Sequence, residues 1–214
     1  MHNIPKISDI KIMLQILEEL GCQIKQSSDK IIINSENINS YEIPEELMNK
    51  MRSSVSIVGA LIGRFKRCTF TYPGGCDIGK RPIDLHLKAF EKLGVKIDVS
   101  KKSIKCTSEK MNPYDMFLEF PSVGATENIM LASVFIEGIT RIRNAAKEPE
   151  IKDLQEMLNK MGAKITGAGT DTIEIKGVTY LKSIKYRVIP DRIEAGTMLC
   201  VVAANERRNK NYRY

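Results

Sequence analysis

Apolar positions recur along this chain in two different patterns. In the first, they return at i, i+3, i+4 and i+7, as on a helix with one buried face. Ile10, Met13, Leu14, Leu17 and Leu20 follow this spacing, and so do Ile151, Leu154, Leu158 and Met161. Three such segments align: SDIKIMLQILEELGCQI from Ser8, PIDLHLKAFEKLGVKI from Pro82 and EIKDLQEMLNKMGAKI from Glu150. Gly21, Gly94 and Gly162 fall at equivalent places near their ends, each followed by a short apolar strand. Glycine suits the left-handed residue that closes a helix C-terminus. The repeat recurs roughly every seventy residues, too long for a common solenoid.

In the second pattern, small and apolar residues run together with little lysine. MRSSVSIVGALIG from Met51, VGATENIMLASVFIEG from Val123 and RIEAGTMLCVVAA from Arg192 predict helices buried on most sides. Their small residues let backbones approach. Strand-like stretches alternate with them at 31–33, 69–72, 96–99, 139–142, 172–175 and 186–189. The unit is helix, strands, buried helix, strand. Three copies predict an α/β domain with helices at its centre, sheets around them and pseudo-threefold closure.

Composition narrows the function classes. The chain has 214 residues and 43% hydrophobic content, enough for a full core without staples. No apolar run approaches the ~20 residues of a membrane span, and MHNIPKISDIK has no apolar leader region. The expectation is a cytoplasmic protein. The net charge is +7, but the last ten residues, NERRNKNYRY, hold Arg207, Arg208, Lys210 and Arg213 against Glu206. A solvated basic tail at 205–214 accounts for much of the excess, and no nucleic-acid-binding motif is present. Five cysteines at wide spacings, with no CxxC pair, exclude a disulfide framework and a zinc ribbon. His2 and His86 are too few for a metal site or a Ser-His-Asp triad.

Candidate chemistry concentrates in YPGGCDIGKRPIDLH, 72–86, a glycine-rich loop leading into a helix. Gly74, Gly75 and Gly79 allow close approach of a ligand, and Pro82 fits the first helical turn. Lys80 and Arg81 add positive charge beside the helix N-terminus, which suits a phosphate or carboxylate. Cys76 sits within the loop, where cations and N–H groups lower a thiol pKa. Cys22, Cys68, Cys106 and Cys200 read as packing residues. Asp84 serves equally as a helix-dipole partner, and His86 equally as a surface residue. Arg52 opens a buried helix, where a charge calls for an anionic partner. Ser122, Val123 and Gly124 form a second loop-to-helix junction, equally readable as an N-cap or an anion site.

PGGCDIGKRPIDLHLKAFEKLG, PSVGATENIMLASVFIEG, NAAKEPEIKDLQEMLNKMGAKITGAGTDTIEI and VIPDRIEAGT resemble the UDP-N-acetylglucosamine 1-carboxyvinyltransferase family of enolpyruvyl transferases. The resemblance implies an inside-out α/β barrel lobe of repeated βαβαββ units with buried central helices. It implies one lobe over 1–204, in imperfect repeats at about 1–72, 73–142 and 143–204. The implied activity is transfer of enolpyruvyl from phosphoenolpyruvate to the 3-hydroxyl of UDP-N-acetylglucosamine, the first committed step of peptidoglycan synthesis, without metal or organic cofactor. Cys76 matches the loop cysteine that protonates phosphoenolpyruvate and that fosfomycin alkylates. Arg52 and Arg81 match phosphate-neutralising arginines. Arg81, Pro82, Ile83, Asp84 and Leu85, with His86 beside them, match a contact segment for the nucleotide sugar, and Ser122, Val123 and Gly124 match the loop near its diphosphate.

The family pattern extends beyond both ends of this chain, with a Lys-Asn pair before it and a general-base aspartate after it. The expectation is a truncated chain, inactive alone, whose partner is a second lobe or a swapped copy of itself. The segment 192–204 is expected to fold back into a slot vacated by a missing helix, or to fill that slot in a neighbouring chain. The alternatives are a shikimate-pathway enolpyruvyl transferase, which lacks such a cysteine loop, and a non-catalytic basic binding module.

Overall fold

The computed structural model describes residues 1–28, 30–74, 83–100 and 103–204. The amphipathic segments form α1 (Ser8–Glu19), α4 (Asp84–Lys92) and α6 (Pro149–Met161). Between them lie a short α2 (Glu45–Met48), α3 (Ser56–Phe65) and α5 (Val123–Ser133), and α7 (Arg192–Ala204) follows α6. Gly21, Gly94 and Gly162 take φ of 103°, 89° and 111°, the left-handed conformation the repeat predicts. After each of these glycines comes an antiparallel hairpin: β1–β2 (Gln23–Gln26, Ile31–Asn34), β4–β5 (Lys96–Val99, Ile104–Thr107) and β8–β9 (Lys164–Thr166, Thr172–Lys176).

The strand that follows each buried helix joins the hairpin of the next copy. β3 (Arg67–Phe70) pairs with β5, and β7 (Ile139–Arg143) pairs with β9. On the far side of β7, β6 (Asp115–Phe117) runs parallel, with α5 as the crossover. Residues 41–43 take the same place beside β3: Thr69 N–H donates to Tyr41 O and Ile43 N–H to Thr69 O, both at 2.9 Å. The third sheet is completed by distant parts of the chain. His2 bridges Lys30 antiparallel and Arg187 in parallel, through His2 N–H to Tyr186 O at 2.8 Å and Val188 N–H to His2 O at 3.1 Å. The result is three sheets built on one pattern, each shared between adjacent copies of the repeat. They remain separate sheets, so strands do not join into one barrel. Because each sheet mixes strands of adjacent copies, the division at 1–72, 73–142 and 143–204 marks units of sequence. It stands as our proposal for the organisation.

The core lies between these layers and centres on α3 and α5. Ile62, Ile129, Met130 and Ala132 are fully buried. The helices touch through small residues: a Cβ added at Gly59 would lie 2.3 Å from Asn128 O, and one at Gly63 3.0 Å from Leu131 O. The core face of α1 is rotated from the one its spacing suggests. Ile16 and Leu20 are fully buried, whereas Leu17 is half-buried. The helix expected from Met51 begins with a 3-10 turn at Arg52–Val55, pinned where Ser54 Oγ donates to Met51 O at 2.7 Å.

One expectation fails. α7 does not fold back into the core; none of its residues is buried, and Ile193, Leu199 and Val201 are 60%, 59% and 51% exposed. The helix is held at its start by a local cap and by one ion pair to α6. Asp191 Oδ1 caps it by accepting from Ile193 N–H at 2.8 Å, and Arg192 makes a two-pronged ion pair with Glu150. Among the described residues nothing buries the apolar side chains of this helix.

Candidate functional site

A cleft of about 1020 Å³ opens where several helices begin. Its wall includes Asp9 from the first turn of α1, the Arg52 turn and Ser56 at the start of α3, Asp84, Leu85 and His86 at the start of α4, Ser122, Val123 and Gly124 at the start of α5, and Glu148 ahead of α6. The N-terminal residues before α1, α4 and α6 provide no side-chain cap. The first N–H groups of a helix lack intrahelical acceptors and carry the positive end of its dipole. Such ends gathered around one cleft form a site for an anion.

The wall also carries five carboxylates, Asp9, Asp84, Glu119, Glu127 and Glu148. Glu119 meets Lys88 at 3.2 Å, and Asp9 accepts from Ser53 Oγ at 3.4 Å. Burial pushes Glu127 up to about 7, although Ser56 Oγ donates to it at 3.4 Å and favours the charged form. Glu148 Oε2 is buried without a hydrogen-bond partner. Carboxylates accept hydrogen bonds from hydroxyl groups. The cleft therefore has chemistry for two kinds of group, anionic oxygens at the helix starts and hydroxyls at the carboxylates.

His86 is the most enclosed polar group of the site, 6% exposed and so not a surface residue. Its Nδ1 lies 3.0 Å from Asn128 Nδ2. Desolvation, helped by the Arg52 cation and opposed by Asp84, pushes its pKa down to about 4. The ring is neutral near pH 7. Ser122 is an N-cap, its Oγ accepting from Ala125 N–H at 3.3 Å. Capping leaves the Val123 and Gly124 N–H groups at the cleft, so the two readings of this junction are compatible.

The structure thus brings Arg52, Asp84, Leu85, His86, Ser122, Val123 and Gly124 to one wall. Ile83 packs its side chain into the core at 2% exposure, which leaves only its backbone for a ligand. Cys76, Arg81 and Pro82, with Lys80, lie outside the described residues. Among the described residues the wall is richer in carboxylates than a phosphate site alone requires. Asp9, Ser53, Ser56, Glu119, Glu127 and Glu148 carry no signal in sequence beyond their places near helix starts. No group of side chains suited to holding a metal occurs among the described residues.

A family model described as EPSP synthase (3-phosphoshikimate 1-carboxyvinyltransferase) matches residues 1–209. The chain is 53% identical over 203 residues to UDP-N-acetylglucosamine 1-carboxyvinyltransferase 2 of Caldanaerobacter subterraneus, covering 95% of this chain and 49% of that protein. It is 47% identical over 206 residues to UDP-N-acetylglucosamine 1-carboxyvinyltransferase 1 of Carboxydothermus hydrogenoformans, with 96% and 49% covered. The chain spans about half the length of the curated relatives it matches. Among solved structures, the enolpyruvyl transferase NikO of Streptomyces tendae superposes with a TM-score of 0.80 at 21% identity, over 93% of this chain and 48% of that one. EPSP synthase of Acinetobacter baumannii gives 0.67 at 19% identity, over 86% and 42%. At these identities the likeness is one of fold.

Proposed function

The chain belongs to the EPSP synthase family of enolpyruvyl transferases, and from that premise we propose that it contributes one lobe of an enzyme transferring enolpyruvyl from phosphoenolpyruvate to the 3-hydroxyl of UDP-N-acetylglucosamine. The observation that carries this reading is the meeting of helix starts, Arg52 and carboxylates around one cleft. A nucleotide sugar presents a diphosphate for the first two and hydroxyls for the third. The relatives whose names include this substrate are 44% to 53% identical to the chain, which favours it over a shikimate substrate.

In this reading the diphosphate lies along Ser122, Val123 and Gly124 and against Arg52, with Arg81 completing the charge. Asp84 and Leu85 contact the nucleotide part, and His86 donates from its ring. The backbone of Ile83 lines the approach, and Pro82 is assigned to the same contact segment by its place in the sequence motif. Cys76 acts as acid toward the methylene carbon of phosphoenolpyruvate, its thiol acidified by Lys80, Arg81 and loop N–H groups. These roles need no metal or organic cofactor. The chain matches half of each relative, so we place the second lobe, or a swapped copy of this chain, on the exposed side of α7. Turnover by the chain alone is then lost, since removal of groups that act together typically costs orders of magnitude. The product feeds peptidoglycan synthesis, a cytoplasmic step, and no described helix is long and apolar enough to cross a membrane.

Calorimetric titration with UDP-N-acetylglucosamine tests the reading. We expect saturable binding that Arg52→Ala weakens about tenfold or more, as loss of a charge-assisted contact implies. Absence of binding, or binding indifferent to Arg52, would refute it. Steady phosphate release at ~1 per second or faster would refute the dependence on a second lobe.

A further inference from the structure

Asn128 is fully buried, and its side-chain amide touches three different elements. Its Oδ1 accepts the Gly59 N–H of α3 at 2.5 Å. Its Nδ2 lies 3.0 Å from His86 Nδ1, 3.1 Å from Val55 O and 3.3 Å from Gly124 O. This orientation cannot be reversed. A flipped amide would set its oxygen against two carbonyl oxygens and its NH2 against the Gly59 N–H. Nδ2 has two hydrogens to share among these three neighbours and no acceptor capacity, so His86 Nδ1 cannot hold a proton against it and stands as an acceptor. A neutral imidazole that accepts at Nδ1 carries its proton at Nε2. An imidazolium would place an N–H at Nδ1 against the Asn128 NH2, a clash of donors. That arrangement agrees with the downward pull of burial and of Arg52 on the ring, which Asp84 only partly opposes.

The Nε2 edge of the ring faces the start of α5. A methyl group added at Gly124 would lie 3.5 Å from Nε2 and 3.2 Å from Cε1, and both residues form the cleft wall. Gly124 therefore provides the room in which this edge can meet a ligand.

We infer that Asn128 is a positioning residue: it fixes the neutral Nε2–H tautomer of His86 and so presents that N–H, beside Gly124, to a phosphate oxygen of the ligand. The identity of the ligand rests on the functional reading above; the tautomer does not. Asn128 itself stays behind the ring and does not touch the ligand. A neutral donor held in this way binds an anion without changing its own charge as the pH crosses the ordinary histidine range.

The experiment uses the whole chain, labelled with nitrogen-15. The sequence has only His2 and His86, so His86→Gln assigns the ring signals by their loss. Long-range nitrogen–proton spectra should show an unprotonated Nδ1 and a protonated Nε2 on His86, unchanged between about pH 5 and 8. Asn128→Asp has nearly the same shape and still accepts from Gly59, but it sets an acceptor against Nδ1 and should move the proton there. With UDP-N-acetylglucosamine as the probe, Asn128→Asp and His86→Ala should each weaken binding about tenfold or more. His86→Gln, whose amide N–H reaches the position of Nε2, should lose no more than about threefold.

A wild-type ring protonated at Nδ1 would overturn the inference. So would an Asn128→Asp chain that keeps its proton on Nε2 or binds with unchanged affinity. If that variant does not fold, the wild-type spectrum and the contrast between His86→Gln and His86→Ala decide the matter. A wild-type chain that fails to bind the probe overturns the functional reading and the ligand named here, while the spectra still decide the tautomer.

Discussion

Replacing Gly59 with alanine places a methyl group where two helix backbones already touch. The new Cβ would lie 2.3 Å from Asn128 O, 2.7 Å from Asn128 Oδ1 and 2.8 Å from Asn128 Cα. Two of these atoms are backbone, so no side-chain rotation relieves the overlap, and α3 and α5 must separate. Overpacking of this kind costs about 3 kcal/mol, against a gain of about 1 kcal/mol in helix propensity. Separation also stretches the bond from Gly59 N–H to Asn128 and exposes a buried donor, adding about 1 kcal/mol. The balance is a loss of about 3 kcal/mol. In a chain of this size that lowers the melting temperature by ~6 to 12 °C. Gly196 is the control: in α7, alanine there meets nothing within 4 Å. Gly196→Ala should leave the global transition where it is and raise helicity by circular dichroism. Thermal and urea unfolding of both variants provide the test. A Gly59→Ala chain that melts within a degree or two of the parent would show that the contact between α3 and α5 is looser than described.

Glu127 makes stability depend on pH. The folded chain holds this proton up to about pH 7, whereas the ordinary carboxyl releases it near 4.5. Between those values the folded state binds more protons, so stability falls as pH rises through the window. Glu127→Gln should remove about 3 kcal/mol of that fall, and equal pH dependence of melting in variant and parent would refute it. Among the cysteines, Cys76 should be alkylated first at neutral pH. The exposed Cys200 should follow, with Cys68 and Cys106 last, since burial raises both of these thiols, Cys106 to about 12. Mass spectrometry after limited labelling checks the order, and labelling of Cys200 ahead of Cys76 would defeat the loop argument. Arg192→Ala removes an exposed ion pair and should leave the melting temperature within about a degree of the parent while α7 frays. Unchanged helicity in that variant would show that the pair does not hold α7.

Much of the fold was legible because it repeats. Gly21, Gly94 and Gly162 mark the same left-handed residue in each copy, and one helix-and-hairpin pattern recurs after them. The site was legible where one local segment carried several signals, as in 83–86 and 122–124, and at Arg52, a charge opening an apolar helix. Asp9, Glu127 and Glu148 were not, because a helix start acquires its neighbours only when other helix starts pack beside it. Asn128 was hidden differently. It sits inside an apolar helix, and only the arrival of Gly59 and His86 from elsewhere gives its amide something to orient. α7 misled because composition records how apolar a helix is, not whether anything faces it.

The joining of His2 to residues 186–188 has a kinetic side. The parallel neighbours Asp115–Phe117 and Ile139–Arg143 are linked directly by a buried helix, so they meet as soon as that helix forms. Asn3 and Val188, joined by a hydrogen bond at 2.8 Å, stand 185 positions apart. Bringing such distant points together costs ~2 kcal/mol more in loop-closure entropy than the shorter crossover does. This third seam makes its contacts through a few backbone bonds and the Asn3 side-chain amide. It is therefore the last junction to form as the chain folds and the first to part in native fluctuations. In hydrogen exchange, the amides of His2 and Val188 should trade with solvent well before those of Arg141 and Leu118, which hold the equivalent place in the β6–β7 pair.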